Sequence, residues 1–324
     1  MIDIPMGGLT PALPGDLDGG QAAWFCEHEF EKDNPSDWQP RYQISRIIHE
    51  AQTAYHRFLF FENPTFGRIF VLDGVVQNTE RDGFAYQEML AHPPLFAHPD
   101  PKRVLIIGCG AGGTLREVLR HPVEQATIID IDGEVVEVCR THMSMISAGA
   151  FEDPRTRLVI GDGFRFVKKA TETYDVIIVD SPDPVGAGAI LFTEEFFSNC
   201  RRCLAPGGIL VTQSGVPFLQ PEVTADVAQK LKGLFPHVSF YGVVVPTYGG
   251  LMALSWSRAE GGLGHPTLKA LRRRYKAGGI DTRYYTPELH QAAFGLPAYV
   301  RWLTDGKALN ARKAMRISPS AAGR

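Results

Sequence analysis

The 324-residue sequence predicts an α/β fold, with a mostly parallel seven-stranded sheet and a small antiparallel β domain on its N-terminal side. Three observations support this prediction. From Lys102 onward, short apolar strand cores alternate with helix-length segments, as in a parallel sheet with crossover helices. Before that point, short β-like runs are separated by turn signals. A glycine-rich stretch follows the first apolar core, as in nucleotide-binding sheets.

The N-terminal part of the chain is predicted to contain a flexible segment and then the small β domain. Residues 1–20 are rich in Gly and Pro, so we expect a flexible segment there. Residues 21–83 contain the β-like runs 58–61 and 68–72. The turn signals after them are Asn63-Pro64 and Asp73-Gly74. This pattern favours antiparallel strands joined by tight turns.

Residues 84–309 are predicted to form a Rossmann-like catalytic domain, and residues 310–324 a frayed tail. The expected strands are Val104–Ile107, Ala126–Ile129, Arg157–Ile160, Tyr174–Val179, Gly208–Thr212, Val238–Val245 and Leu251–Trp256. Ligands of such sheets bind at the carboxyl ends of the strands, so functional residues are expected there.

Charge and composition argue against several classes of partner. The net charge of −3 gives no general attraction to nucleic acid or to anionic membranes, and the basic run 272–274 fits a solvated helix face. No stretch is apolar over the length of a membrane span, which predicts a cytoplasmic protein. Five cysteines favour reduced thiols, and Cys200 and Cys203 lack a second ligand pair nearby, so no metal is expected.

A nucleotide site is predicted where the first three strands end. Gly108, Gly110 and Ala111 lie in the glycine-rich stretch, although this pattern also fits a dinucleotide fold or a plain turn. Asp130 and Ile131 follow the second strand, where a carboxylate can accept both ribose hydroxyls or simply begin a helix. Asp162 and Gly163 follow the third strand and suit an adenine. Acids after strands two, three and four favour S-adenosylmethionine over a nicotinamide cofactor.

The segment Asp180-Ser181-Pro182-Asp183-Pro184 is the strongest chemical signal in the sequence. Two carboxylates in a loop stiffened by proline form a negative cradle that suits a di- or polyamine. Turn formation and helix capping are the structural alternative.

With these motifs in place, the chain from Trp24 to about Leu309 resembles the polyamine aminopropyltransferases, the spermidine synthase family. The matching stretches are 71–77, 79–82, 86–89, Asp162-Gly163, Asp180 with Asp183, 246–248 and 292–297. The resemblance implies that Asp180 accepts a proton with Tyr86 beside it, and that Asp183 anchors the amine. It implies an amine channel formed by Gln87, Tyr248, Trp24 and Gln213, donor contacts from His56 and Ala187, and a homodimer.

The chain departs from the family pattern in the donor site. Ala111 stands where the glycine loop usually has Asp, and Gly83 replaces a second acid, as in the similar plant putrescine N-methyltransferases. Losing two acids removes about 4 kcal/mol of repulsion per acid toward a donor carboxylate at 4 Å. We therefore expect methyl transfer from S-adenosylmethionine to a di- or polyamine. The alternatives are aminopropyl transfer from decarboxylated S-adenosylmethionine to putrescine, aminocarboxypropyl transfer, a nicotinamide oxidoreductase and a non-catalytic binding protein.

Overall fold

The computed structural model describes residues 23–27, 39–108, 110–184, 186–260 and 265–307. The expected flexible segment 1–20 and the expected tail 310–324 lie outside the described residues. The predicted division into domains at residue 83 stays a prediction.

The N-terminal strands are antiparallel, as predicted. β1 (Ala23–Cys26) pairs with β2 (Arg41–Ile44). A four-stranded sheet follows in chain order: β3 (Arg46–Gln52), β4 (Arg57–Asn63), β5 (Gly67–Leu72) and β6 (Val75–Thr79). Alternation along β4 places Phe58 and Phe60 in one apolar cluster, and Leu59 and Phe61 in another. Both faces of this strand are therefore buried.

The larger sheet has seven strands in the order β12-β13-β11-β10-β7-β8-β9. Its strands are β7 (Arg103–Gly108), β8 (Gln125–Asp130), β9 (Thr156–Ile160), β10 (Tyr174–Asp180), β11 (Leu204–Gln213), β12 (His237–Val245) and β13 (Gly250–Arg258). β7 to β11 pair in parallel, and β13 pairs antiparallel with β11 and β12. Each predicted strand lies within an observed one, so the predicted Rossmann-like fold is confirmed.

Helices cover both faces of this sheet, which is why its central strands are continuous apolar runs. The helices are α1 (Gly83–Ala97), α2 (Gly113–Leu119), α3 (Gly133–His142), α4 (Ser144–Ser147), α5 (Gly163–Lys169), α6 (Glu194–Arg202), α7 (Pro221–Leu234), α8 (Leu268–Gly278), α9 (Pro287–Ala292) and α10 (Ala298–Thr304). α1, α2 and α8 contribute to one core cluster, and α6, α7 and α10 to the other.

Asp82, just before α1, ties the N-terminal strands to the β12–β13 connection. Its Oδ2 accepts hydrogen bonds from the backbone N–H and the hydroxyl of Thr247, each at 2.9 Å. Tyr42 of β2 donates to the carbonyl of the same Thr247 at 3.1 Å. Because Asp82 and Thr247 are both buried, these bonds fix the position of Tyr248, the residue after Thr247.

Two surface interpretations can be compared with the structure. Arg272 and Arg273 are exposed on α8, but Arg274 is half-buried and donates to the carbonyls of Phe96 and Ala97 at the end of α1. Within the described ranges, no group of three or more His, Cys, Asp or Glu residues could hold a metal ion. None of the helices in those ranges is long and apolar enough to cross a membrane.

Candidate active site

A cavity of about 380 Å³ lies at the carboxyl ends of β7, β8 and β10 and is also lined by residues of the N-terminal strands. β7 and β10 are neighbours at the point where the strand order reverses, which is where open α/β sheets bind ligands. The predicted site residues in its wall are His56, Tyr86, Gln87, Gly108, Gly110, Ala111, Asp130, Ile131, Asp162, Gly163, Asp180, Asp183, Gln213 and Tyr248.

Asp180, the last residue of β10, is held by the glycine loop and α2. At Gly108 the φ angle is +90°, and a Cβ there would lie 2.0 Å from the Asp180 carbonyl oxygen. Only glycine allows this close approach. From the other side, the Thr114 hydroxyl donates to Asp180 Oδ2 at 2.7 Å. The carboxylate is therefore oriented before any ligand binds.

Asp183 is held by two side-chain amides. Gln213 donates to its Oδ1 at 3.1 Å, and Gln220 donates to its Oδ2 at 3.0 Å. Burial raises the pKa of Asp183, and these two hydrogen bonds act in the opposite direction. We refer to residues 180–184 as the acidic loop.

Tyr86 and Tyr248 form an aromatic pair in the cavity wall. Their ring centroids lie 5.6 Å apart with an interplanar angle of 72°. The Tyr248 hydroxyl donates to the carbonyl of Gln77 at 2.8 Å, and burial raises its pKa well above the usual value. Tyr248 therefore stays neutral. The pair offers an apolar surface for a methylene chain.

Gln87 and Trp24 are placed differently. Gln87 is buried in the cavity wall, and its Oε1 accepts a hydrogen bond from Arg116 at 3.4 Å. Trp24 is not among the residues that line the cavity. Trp24 is 40% exposed, and its ring lies against the Arg41 guanidinium, 5.2 Å from the ring centroid. This cation–π contact lies outside the described cavity lining, and the channel role of Trp24 stays a prediction.

The nucleotide side of the cavity carries three titratable side chains. Burial raises the pKa of Asp130 to about 6, although its Oδ1 accepts a hydrogen bond from the Asp132 backbone. Asp162 caps α5 by accepting from the Arg165 backbone N–H at 3.1 Å. For His56, burial opposes protonation, but the Asp73 carboxylate at 2.8 Å, together with Asp132 and Asp130, outweighs it and raises the pKa. The side chain of Ala187, on the 3₁₀ helix Gly186–Phe192, lies outside the described residues.

Ala111 belongs to an apolar wall. It packs in one cluster with Phe70, Leu72 and Val135, and all four line the cavity. We refer to these four residues as the apolar wall. At Gly83, a Cβ would lie 2.2 Å from Asn78 Oδ1, so the Asn78 amide occupies the space that a larger side chain would need.

The cavity is strongly acidic. Carboxylates line it at Glu27, Asp130, Asp162, Asp180 and Asp183. Among the described residues of its wall there is no Lys or Arg. A cationic ligand is therefore favoured over one that also carries a carboxylate.

Several cavity residues were not predicted from the sequence, although some signals were present. Gln77 lies in a stretch that carried the resemblance, and Thr114 directly follows the glycine-rich stretch. Glu27, Asn78 and Gln220 had no such signal. Their place in the wall depends on contacts between distant parts of the chain.

The fold and the cavity together define a Rossmann-like transferase with an acidic substrate pocket. Residues 83–261 match the spermine/spermidine synthase domain, and residues 24–80 match the spermidine synthase tetramerisation domain. The chain belongs to the spermine/spermidine synthase family.

Similar proteins agree with this assignment. Polyamine aminopropyltransferase 1 of Pseudomonas aeruginosa is 50% identical over 80% of this chain and 92% of its own length. The polyamine aminopropyltransferase of Escherichia coli is 46% identical over 80% of this chain and 91% of its own. A spermidine synthase solved in complex with the transition state analogue AdoDATO superposes with a TM-score of 0.82 at 36% identity, covering 88% of this chain and 97% of that one. The spermidine synthase of Thermotoga maritima gives a TM-score of 0.80 at 35% identity, covering 88% and 95%.

The expectation of methyl transfer from S-adenosylmethionine is wrong. The relatives at 46–50% identity are aminopropyltransferases, and the superposed structures are spermidine synthases. The physical reason concerns the donor carboxylate. Neutral residues at positions 83 and 111 remove repulsion, but a methionine carboxylate also needs a cation. The described wall offers no Lys or Arg for that purpose.

Proposed function

We propose that this protein transfers an aminopropyl group from decarboxylated S-adenosylmethionine to putrescine or a similar diamine. The observation that carries the proposal is the acidic cavity, which has no Lys or Arg among its described lining residues. Decarboxylated donor and diamine are both cationic and have no carboxylate. The names of the relatives support the same reaction.

In this proposal the acidic loop prepares the amine for attack. An alkylammonium has a pKa near 10, so the attacking nitrogen must first lose a proton, and Asp180 accepts it. The nitrogen lone pair then forms a bond to the aminopropyl carbon next to sulfur. The carbon–sulfur bond breaks, its electron pair stays on sulfur, and methylthioadenosine leaves. Asp183 binds the amine, and the Tyr86–Tyr248 pair packs against its methylene chain.

The nucleotide part of the donor is assigned to the ends of β7, β8 and β9. Asp130 accepts from the ribose hydroxyls, while Asp162 and Gly163 lie beside the adenine. Gly108, Gly110, Ala111 and Ile131 complete this side. His56, held by its contact with Asp73, lies beside the nucleoside. These roles extend the family pattern to residues that line one cavity here.

We also propose that the protein self-associates through its N-terminal strands. The match of residues 24–80 to the tetramerisation domain supports an oligomer, and the sequence resemblance favours a homodimer. Sedimentation equilibrium decides between two and four copies. A monomer at micromolar concentration would overturn this part of the proposal.

The reaction is tested by product analysis with purified protein. Putrescine and spermidine are each offered with S-adenosylmethionine or its decarboxylated form, and products are identified by mass. We expect a product enlarged by one aminopropyl group, with methylthioadenosine, only with the decarboxylated donor. A methylated amine, or no product from the decarboxylated donor, would overturn the proposal.

A further inference from the structure

The segment between β11 and α7 carries two glutamines that converge on one carboxylate. Gln213 is the last residue of β11, and Gln220 directly precedes α7. Both line the cavity, and both donate to Asp183. Each of the two carboxylate oxygens thus has its own amide donor.

The orientation of each amide is fixed by a backbone N–H of the same segment. Gln213 Oε1 accepts from Gly215 at 2.8 Å, and Gln220 Oε1 accepts from Val216 at 3.0 Å. An amide whose oxygen is engaged in this way must turn its NH₂ group toward the remaining partner. Asp183 therefore faces two groups that can only donate.

The segment that carries the two glutamines is itself held in place. At Gly215 the φ angle is +76°, and a Cβ would lie 2.9 Å from Gln220 Oε1, so glycine is required. The Thr224 hydroxyl of α7 donates to the Ser214 carbonyl at 2.7 Å. Backbone hydrogen bonds at 2.8 and 2.9 Å join residues 214 and 215 to Ala253 of β13.

The two carboxylates of the acidic loop therefore respond differently to a proton. A protonated Asp183 would turn an O–H toward an amide N–H, and one hydrogen bond would be lost. Asp180 is instead paired with the Thr114 hydroxyl, which rotates and accepts as readily as it donates. The bond to Thr114 therefore tolerates a proton on Asp180.

We propose that Gln220 is a positioning residue for the amine substrate, which together with Gln213 keeps Asp183 an ionised anchor and leaves proton transfer to Asp180. This inference rests on the proposed function, because it assigns the two carboxylates different tasks in the same reaction. It adds Gln220 and Thr114, to which the sequence assigned no role.

The experiment compares Gln220→Leu with Thr114→Val. We expect Gln220→Leu to raise the KM for putrescine by about tenfold at nearly unchanged kcat, since one donor to the anchor is lost. The acid limb of kcat/KM for putrescine should move to higher pH. Thr114→Val should lower kcat with little change in the putrescine KM. The matched control is Gln291→Leu, at an exposed glutamine on α9, which should leave all constants unchanged.

Two outcomes would overturn the inference. One is a Gln220→Leu variant with lower kcat and an unchanged putrescine KM. The other is an equal rise in the KM values for donor and amine, which would indicate a merely structural role. Calorimetric titration with putrescine in the absence of donor measures the affinity of the amine site, including Asp183, without turnover. Weaker putrescine binding by Gln220→Leu supports the positioning role of Gln220 even if the product assay rejects aminopropyl transfer, so the two failures are distinguishable.

Discussion

The acidic loop and the apolar wall line the same cavity, but the first presents two carboxylates and the second presents no charge. In the acidic loop, Asp180 and Asp183 are held by a hydroxyl and two amides, which orient them for a cation. In the apolar wall, Ala111 packs against Phe70 and Leu72 and supplies no polar group. A carboxylate of this cavity thus contributes to recognition where neighbouring donors support it. Removing a carboxylate from the apolar wall changes the affinity for the donor, but it does not change which donor is bound.

The largest expected effect comes from Asp180, the proposed proton acceptor. Asp180→Asn keeps the shape of the acidic loop and removes its base, so kcat should fall by about 10²- to 10⁴-fold. Steady-state rates at saturating donor and putrescine measure the effect. Asp226→Asn, which removes an exposed carboxylate on α7, is the matched control. Full turnover by Asp180→Asn would mean that the proton leaves by another route.

Asp183 should act on binding more than on rate. Asp183→Asn replaces a charge-assisted contact with a neutral one, which costs roughly 1.5–3 kcal/mol, so the KM for putrescine should rise about tenfold to hundredfold. The kcat at saturating putrescine should stay close to that of the parent protein. If kcat falls as far as in Asp180→Asn, the two carboxylates do not divide their tasks as proposed.

The apolar wall can be tested by adding charge to it. Ala111→Asp places a carboxylate near the donor arm, and we expect the KM for decarboxylated donor to fall about tenfold. Because the new group is buried among apolar side chains, the melting temperature should also fall, by the equivalent of about 1–3 kcal/mol. Ala148→Asp, at an exposed site between helices, serves as the control for added charge. A higher donor KM would show that the arm does not approach Ala111.

The smallest expected effect is a pH dependence of nucleoside binding. Burial raises the pKa of Asp130 from 3.8 to about 6, so ionising it costs the free protein stability as the pH rises through that window. Ribose hydroxyls stabilise the ionised form. The affinity for methylthioadenosine, measured by calorimetry, should therefore rise by up to about tenfold between pH 5 and pH 7. In Asp130→Asn this slope should disappear; an unchanged slope would assign the pH dependence to another group.

Much of the fold could be predicted because the strands are buried on both faces. Such strands, for example Val104–Ile107 and Tyr174–Val179, appear as continuous apolar runs bounded by turn residues. Residues at the ends of parallel strands meet at one edge of the sheet. For that reason Asp130, Asp162 and Asp180 could be assigned to one site before the structure was known.

The remaining features of the site depend on contacts that sequence patterns do not encode. The bonds from Gln220 to Asp183 and from Thr114 to Asp180 join residues 37 and 66 positions apart. The resemblance predicts Trp24 in the amine channel, and in the structure its ring lies against Arg41, outside the described cavity lining. Methyl transfer is predicted from two missing acids and from the likeness to putrescine N-methyltransferases, whereas the lack of Lys and Arg in the described cavity wall cannot be read from local motifs.

The hydrogen bonds between Asp82 and Thr247 affect when the cavity can form during synthesis of the protein. The cavity wall draws on residues from Glu27 to Met252, and within that span hydrogen bonds join Asp82 to Thr247 across 165 positions. During synthesis, which proceeds from the N-terminus, the pocket cannot close until the β12–β13 hairpin has left the ribosome. A diamine that packs against Tyr248 in the finished enzyme therefore gives no protection to the growing chain.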